Sequence, residues 1–311
     1  MPARVLDDIP QGQKDRLAFI EFRLWFLGDI CRRDLMDRFG IAPAVATRDL
    51  AAYRELAPGN IDFEGSRKVY ICREPFAPLF EHQAERVLSA LSKGFGDGTG
   101  ERSVGYLSCE LPLRLNKPSP PVLAVITRAI HQGKALRVNY HSLKKGASER
   151  EIVPFALVDS GLRWHIRTYD RQSKEFRDLV ISRIENPVLL ADSPIEVHER
   201  WDQDDQWTRM VTLEMVAHPG QAHPEIVARD FWIENDVLTV RTRAAVAGYV
   251  LQLWNVDCSR DHSLDPNLYR LWLRDSLVLY GVSSAVLCPG FETQTDKANE
   301  PLTPKPQLTT V

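Results

Sequence analysis

Residues 136–184 carry the pattern that most restricts how this chain can fold, because apolar and polar side chains alternate through four short runs. Alternation with a period of two is typical of β-strands that bury one face. Short segments rich in glycine, aspartate and lysine separate the runs, and their composition is that of turns. The sequence therefore predicts four consecutive strands, at residues 136–142, 150–158, 162–169 and 176–184.

The third of these strands has an unusual polar face. Leu162, Trp164 and Ile166 form its apolar face, and the other face carries Arg163, His165, Arg167 and Tyr169. Segment 134–183 contains eleven lysine and arginine residues against six aspartate and glutamate residues, inside a chain of net charge −3. Arginine side chains match the geometry of phosphate and carboxylate groups. The face is therefore a candidate anion receptor, although a solvated polar face with ordinary surface salt bridges has the same pattern.

Three further arginines are expected to join this face from neighbouring strands. Arg177 and Arg183 share a face of the fourth predicted strand, because an even number of positions separates them. Arg150 opens the second strand, on the same face as Pro154. A cluster of like charges costs stability when it is empty, so its presence predicts an anion that completes it.

The order of residues in this region resembles the WYL domain, the sensor module of a large group of bacterial transcription regulators. The family's Trp-Tyr-Leu triplet stands here as Trp164-His165-Ile166, which departs from the majority pattern at two positions. Histidine in the middle is similar to a subgroup, the dimeric regulators of anti-phage defence islands of BREX and CBASS type. The other matching positions are Tyr140, Ser142, Arg150, Pro154, Gly161, Arg167, Tyr169, Asp170, Phe176, Arg177, Ser182, Arg183 and Ile184.

This resemblance covers most of the chain, and it implies a small Sm-like β-barrel or sheet that binds an effector. The implied effector is negatively charged, either a nucleotide or a single-stranded nucleic-acid fragment. His165 would donate or accept a hydrogen bond according to its protonation. Arg163 is left out of the predicted pocket because it lies next to the Gly161 turn. The expected effector-binding residues are Tyr140, Ser142, Arg150, His165, Arg167, Arg177 and Arg183.

The N-terminal region predicts three helices. Apolar residues recur at helical spacing between residues 17 and 27, which indicates the first helix. A short second helix is predicted at 32–39, and Gly40 is expected to end it in the left-handed conformation. Pro43 stands where a first helical residue is expected, and the third helix is predicted at 43–56.

The third helix has two different faces, and a basic hairpin follows it. Its buried stripe contains Ala46, Leu50 and Tyr53, whereas the opposite face carries small residues that suit a helix in the major groove of DNA. Strands at 61–63 and 68–72 complete the pattern of a winged helix-turn-helix, although a generic three-helix bundle with a hairpin also fits. Segment 48–61 resembles the N-terminal domain of the same defence-island regulators. The predicted DNA-binding residues are Pro43, Ala44, Thr47, Arg48, Arg54, Arg67 and Lys68.

The chain is therefore expected to be an α+β multidomain protein. A glycine-rich segment at 94–100 is predicted to be a flexible connector, because it lacks the flanking strand and helix of a phosphate loop. The predicted domains are a winged helix-turn-helix at 1–73, a helical linker and dimerisation region at 74–133, the WYL-like sensor at 134–192, a small α/β extension at 193–292 and a disordered tail at 293–311.

Composition and missing motifs exclude several classes of protein. The chain has no apolar run of bilayer length and no signal-peptide pattern, so a cytoplasmic location and no membrane partner are expected. Its five cysteines show no C-x-x-C spacing, which predicts reduced thiols, no zinc site and no cofactor. Motifs of serine hydrolases, P-loop enzymes and zinc peptidases are missing, so the chain is not expected to be an enzyme.

We expect a homodimeric, ligand-responsive transcription regulator, a repressor of its own operon or of phage-defence genes. It would bind double-stranded operator DNA at an inverted repeat. One alternative is a nuclease that binds a phosphate ester through Arg150, His165 and Arg167, but nothing in the sequence indicates how water would be activated. A second alternative is a nucleic-acid-binding accessory protein that does not contact promoters.

Overall fold

The computed structural model describes residue 6 and residues 8–95, 105–110 and 116–292. The chain divides into two compact units, Met1–Pro112 and Leu113–Val311. The predicted tail lies outside the described residues, and so does the predicted connector from position 96 onward. In the described ranges no helix is both long enough and apolar enough to cross a membrane.

Three helices near the N terminus form most of the first unit. Gly28 and Gly40 adopt the left-handed conformation after the first two helices, and Pro43 is the first residue of the third. The helical linker predicted from residue 74 forms its first helix only at Ala84, because Pro75 and Pro78 cannot donate helical hydrogen bonds. The helices are α1 (Gln11–Leu27), α2 (Arg32–Phe39), α3 (Pro43–Leu56) and α4 (Ala84–Lys93).

The small sheet of this unit contains one more strand than predicted. Strands β2 (Ile61–Glu64) and β3 (Val69–Cys72) form the expected hairpin. The additional strand β1 (Asp29–Ile30) pairs with β3, so the order is β1-β3-β2. A strand of two residues is too short to show alternation, which is why the sequence pattern did not reveal it.

A buried glutamate joins α1 to α3 and to the segment that follows the hairpin. The Glu21 carboxylate accepts hydrogen bonds from the Tyr53 hydroxyl at 2.9 Å, the Leu79 amide at 2.7 Å and the Phe80 amide at 2.9 Å. A carboxylate is costly to bury without such partners. Glu21 therefore determines where the chain runs after the hairpin.

A five-stranded antiparallel sheet, called the sensor sheet below, forms the first half of the second unit. Its order is β7-β6-β5-β4-β8. Helix α5 (Pro120–Gln132) packs Ile126 against sheet residues that include Leu136 and Ile166. The strands are β4 (Ala135–Ser142), β5 (Gly146–Asp159), β6 (Trp164–Asp170), β7 (Glu175–Val180) and β8 (Ile184–Leu190).

The prediction of one strand at 176–184 is wrong in its second half. Strand β7 ends at Val180, and Ile181–Arg183 form a 3-10 turn. The chain then crosses to the other edge of the sheet, where β8 pairs with β4. Arg183 therefore does not share a strand face with Arg177.

The second half of this unit is the predicted α/β module. Its four-stranded sheet has the order β10-β9-β12-β11, and two of its strands are shorter than the pattern rules detect. This architecture confirms the α+β class. The elements are α6 (Asp205–Thr208), β9 (Met210–Ala217), α7 (Pro224–Asp230), β10 (Leu238–Arg243), α8 (Ala244–Leu253), β11 (Val256–Asp257) and β12 (Leu271–Leu273).

Candidate functional site

Helix α3 exposes the side chains predicted to contact DNA. Its inner side carries Ala46, Leu50 and Tyr53, none of which has exposed surface. The exposed positions of the helix include Pro43, Ala44, Thr47, Arg48 and Arg54. The first unit therefore presents one helix whose first two turns expose small and basic residues, as entry into a major groove requires.

A buried ion pair sets the rotation of this helix. Asp49 is 1 % exposed, and its Oδ2 lies 2.6 Å from Arg16 Nε on α1. Gln13 donates a further hydrogen bond to Asp49 at 3.0 Å. Because Asp49 faces inward, its neighbour Arg48 faces solvent.

The two basic residues of the hairpin tip are also exposed. Arg67 pairs with Glu64 at 3.3 Å and with Asp29 at 3.1 Å. Lys68 adopts a positive φ of 56° in the turn. Exposed ion pairs contribute little free energy, so the carboxylates orient Arg67 without preventing it from binding a phosphate.

The predicted effector residues are divided between the two faces of the sensor sheet. Arg177 pairs with Thr168, and the next residue, Asp178, pairs with Arg167. Neighbouring residues of a strand point to opposite faces, and paired residues share a face. One face, called the Arg150 face, carries Tyr140, Arg150 and Arg177; the other, called the His165 face, carries His165 and Arg167. The prediction that these arginines line one face is therefore wrong.

Carboxylates of the sheet itself neutralise the Arg150 face. Arg150 Nη1 lies 2.5 Å from Asp170 Oδ2, and its guanidinium is 5.2 Å from the centre of the Tyr140 ring. Arg177 forms an ion pair with Glu175. The cationic groups of this face are therefore paired without a bound anion.

On the His165 face, Arg167 is held by two carboxylates. Its Nε lies 2.7 Å from Asp204 Oδ2, its Nη2 lies 3.0 Å from Asp204 Oδ1, and its Nη1 lies 3.2 Å from Asp178 Oδ1. The Tyr249 hydroxyl donates to the other oxygen of Asp178 at 3.0 Å. Burial opposes the charge of Arg167, but the two carboxylates raise its pKa above the ordinary value.

His165 lies beside this network without completing it. The side chain is 6 % exposed, and its ring centre lies 5.1 Å from that of Tyr249. Nδ1 is buried and has no hydrogen-bond partner in the described part of the chain. Burial lowers the pKa of His165, and the charges of Arg163 and Arg183 act in the same direction, whereas Asp178 opposes them. The imidazole is therefore neutral at neutral pH.

Two partly exposed arginines near His165 differ from Arg167 in having no acidic partner. In the described ranges, neither Arg163 nor Arg183 has a carboxylate within ion-pair distance. Ser142, by contrast, accepts amide hydrogen bonds within the turn that follows β4. The structure thus brings His165 together with Arg163, Arg167 and Arg183, and it leaves Ser142 in a turn.

Sequence reasoning missed three residues of the His165 face. The period of β7 contained the signal for Asp178, because the residue next to Arg177 must point to the opposite face. No local pattern indicates Asp204 or Tyr249, since they come from the α/β module. They meet the sheet only in the folded chain.

The described ranges contain no group of three or more histidine, cysteine or acidic side chains that could hold a metal ion. His218 is buried, and its Nε2 lies 3.1 Å from Asp257 Oδ2. His223 is exposed beside Glu225.

Three family models match the chain. The BrxR transcriptional regulator winged helix-turn-helix domain matches residues 12–93, and the WYL domain matches residues 121–189. The BrxR transcriptional regulator C-terminal dimerization domain matches residues 210–278. These matches confirm the resemblance drawn from the helical N-terminal region and from the alternating strands.

Relatives match over most of the chain. The DNA-binding transcriptional repressor CapW of Escherichia coli (strain KTE188) is 30% identical over 282 residues, covering 87% of this chain and 92% of the relative. CapW of Pseudomonas aeruginosa is 33% identical over 257 residues, covering 79% and 84%. These names agree with the expectation of a regulator that is not an enzyme. A solved structure, the proteasome accessory factor B/C (PafBC) of Arthrobacter aurescens, matches at 16% identity over 88% of this chain and 48% of that chain, with a TM-score of 0.25 that supports no argument about fold.

Proposed function

This chain belongs to the family of transcriptional repressors that includes CapW, and on that premise we propose that it binds operator DNA as a homodimer and represses transcription. The observation that carries this proposal is the outer surface of α3. Small residues and Arg48 are exposed in the first half of the helix, while Asp49 and Tyr53 anchor the inner side. The repressed genes would be its own operon or phage-defence genes.

Homodimerisation is supported by the match of residues 210–278 to a dimerization domain. A two-fold dimer would present two copies of α3 to successive major grooves. The operator would then be an inverted repeat. The predicted domain boundaries at 73, 133, 192 and 292 are part of this proposal.

We further propose that an anionic effector binds on the His165 face. Arg163 and Arg183 have no carboxylate partner in the described ranges, and the buried Nδ1 of His165 lacks a hydrogen bond. A nucleotide or a single-stranded nucleic acid would supply both the negative charge and the missing partner. Tyr140, Arg150 and Arg177 belong to the opposite face, where they would support the sheet.

A retention experiment with the protein's own upstream DNA tests the proposal. The full chain should retain this fragment in the presence of excess unrelated DNA at fixed salt, since nonspecific phosphate contacts are salt-dependent and shared by all sequences. Equal retention of upstream and unrelated DNA would refute the operator proposal. Cleavage of labelled oligonucleotides in Mg²⁺ would instead favour the nuclease alternative.

A further inference from the structure

The sensor sheet and the α/β module meet at the His165 face. Tyr249 of α8 covers the His165 ring, and its hydroxyl binds Asp178. Trp207 of α6 packs edge-on against Phe155 with ring centres 5.6 Å apart. The face on which an effector is proposed to bind is therefore covered by residues of the following module.

All three guanidinium nitrogens of Arg167 already donate to carboxylates. Its Nε, Nη1 and Nη2 atoms donate to Asp204 and Asp178, and its side chain is only 5% exposed. The pair with Asp204 is bidentate, which is the geometry in which arginine also binds a phosphate. Because the side chain is buried and its bidentate edge is occupied by Asp204, an anion can bind that edge only by replacing Asp204.

Of the two carboxylates, Asp204 is the one that lies outside the sensor sheet. It caps α6 by accepting the amides of Gln206 and Trp207 at 3.1 and 3.3 Å. Helix α6 in turn packs against α8, the helix that carries Tyr249. Displacement of Asp204 would therefore act on the module as a whole.

Polar groups beside this contact lack partners in the described ranges. Nδ1 of His165 is buried without a partner, although buried polar atoms are nearly always hydrogen-bonded. Arg163 and Arg183 act on the same imidazole and have no carboxylate partner in the described ranges. These groups indicate a ligand, and they are independent of the Arg167 pair.

We propose that Asp204 occupies the position of the effector's anionic group at Arg167, and that Asp204 and Tyr249 hold the α/β module on the sensor sheet until an anion displaces Asp204. This inference rests on the proposed effector site. Effector binding and release of the module would then both result from replacement of the Asp204 carboxylate by the effector's anionic group at Arg167. Because Asp204 and the effector would compete for Arg167, a change that weakens the Asp204 contact should tighten effector binding.

The variant Asp204→Asn tests this exchange. Asparagine also caps helices, so α6 keeps its cap, but the neutral amide no longer competes with an anion for Arg167. Asp205→Asn is the matched control, because it makes the same chemical change at the adjacent exposed residue. The readouts are the affinity for a short fluorescent oligothymidylate and the hydrogen exchange of α8 in the full chain.

Asp204→Asn should bind the oligothymidylate about 5-fold to 150-fold more tightly than the wild type, the usual range of coupling between sites. Hydrogen exchange of α8 should also become faster, since the module is less firmly held. Asp205→Asn should behave as the wild type. A folded Asp204→Asn protein with unchanged or weaker affinity and unchanged exchange would overturn the inference.

Tyr249→Phe gives a second test in case Asp204→Asn does not fold. It removes the hydrogen bond to Asp178 and keeps the ring on His165, so a smaller change in the same direction is expected. If no variant binds the oligothymidylate, equal exchange in Asp204→Asn and Asp205→Asn overturns the inference, and faster exchange of α8 in Asp204→Asn alone supports it. Failure of the proposed function would look different, because the wild type would then not retain its upstream DNA.

Discussion

Arg16 Nε on α1 lies 2.6 Å from Asp49 Oδ2 in the middle of α3, and this pair determines which side of the recognition helix faces outward. Asp49 is 1 % exposed, so its charge depends on Arg16 and Gln13 for compensation. A rotation of α3 that exposed Asp49 would bury Arg48. The ion pair is thus a condition for the exposure of Arg48, the residue proposed to contact DNA.

Asp49→Asn should destabilise the first unit. The substitution keeps the volume but weakens the hydrogen bonds to a charged partner, which contribute about 1.5–3 kcal/mol. Urea unfolding should show a loss of that size. Asp37→Asn is the control, because Asp37 is exposed in a pair with Arg33 and such changes stay within about 0.5 kcal/mol. Equal losses in both variants would contradict the role given to Asp49.

Arg48→Ala should weaken operator binding without affecting folding. If Arg48 reads a guanine edge, its loss costs about 1–3 kcal/mol of specific affinity. A gel-shift titration at fixed salt measures the change. Arg229→Ala removes an exposed arginine of α7 instead and should leave affinity unchanged. Operator binding of Arg48→Ala at wild-type strength would show that the assignment is wrong.

The operator should have two-fold symmetry. Two copies of α3 in successive major grooves require half-site centres separated by roughly 10 bp or a multiple. Footprinting of the upstream DNA should therefore show dyad symmetry, and light scattering at micromolar concentration should give the mass of a dimer. A monomer mass, or a footprint without a dyad, would contradict this expectation.

Arg183→Ala should abolish the response to the effector and leave operator binding intact. Arg183 has no carboxylate partner in the described ranges, so its removal leaves no buried charge unpaired. Arg167→Ala is a less informative variant, since it leaves the carboxylates of Asp178 and Asp204 without their charged partner and lowers folding stability by about 3–5 kcal/mol. Gel shifts without oligothymidylate measure operator binding, and gel shifts with it measure the response to the effector. Loss of operator binding in Arg183→Ala, with oligothymidylate still bound as in the wild type, would identify the His165 face as a second DNA contact.

His165 should make folding stability fall in acid. Burial lowers its pKa in the folded chain, so below the ordinary histidine value of about 6.5 the unfolded chain binds a proton that the folded chain does not. Stability is therefore lost as pH decreases through that value. Urea unfolding at neutral and mildly acidic pH should show a smaller loss for His165→Gln than for the wild type. His223→Gln is the exposed control, and its loss should equal that of the wild type.

Elements with local signals could be predicted from the order of the residues alone. Helix α3 begins at Pro43 and α2 ends before Gly40, because backbone restrictions of single residues set these limits. Strands β4 to β7 of the sensor sheet followed from alternation, whereas β8 did not, and the outer surface of α3 followed from helical spacing. Each of these features depends on residues that lie close together in the chain.

The surroundings of the arginines depend on how strands and domains pack, and local patterns could not predict them. Period-two reasoning treats each strand separately, whereas the register between β6 and β7 places Arg167 and Arg177 on opposite faces. The partners of Arg167 include Asp204, 37 positions away, whose approach depends on packing of the α/β module. An ion pair between distant residues leaves no periodic trace in the sequence, because its geometry is set by how separate elements pack and not by their spacing along the chain.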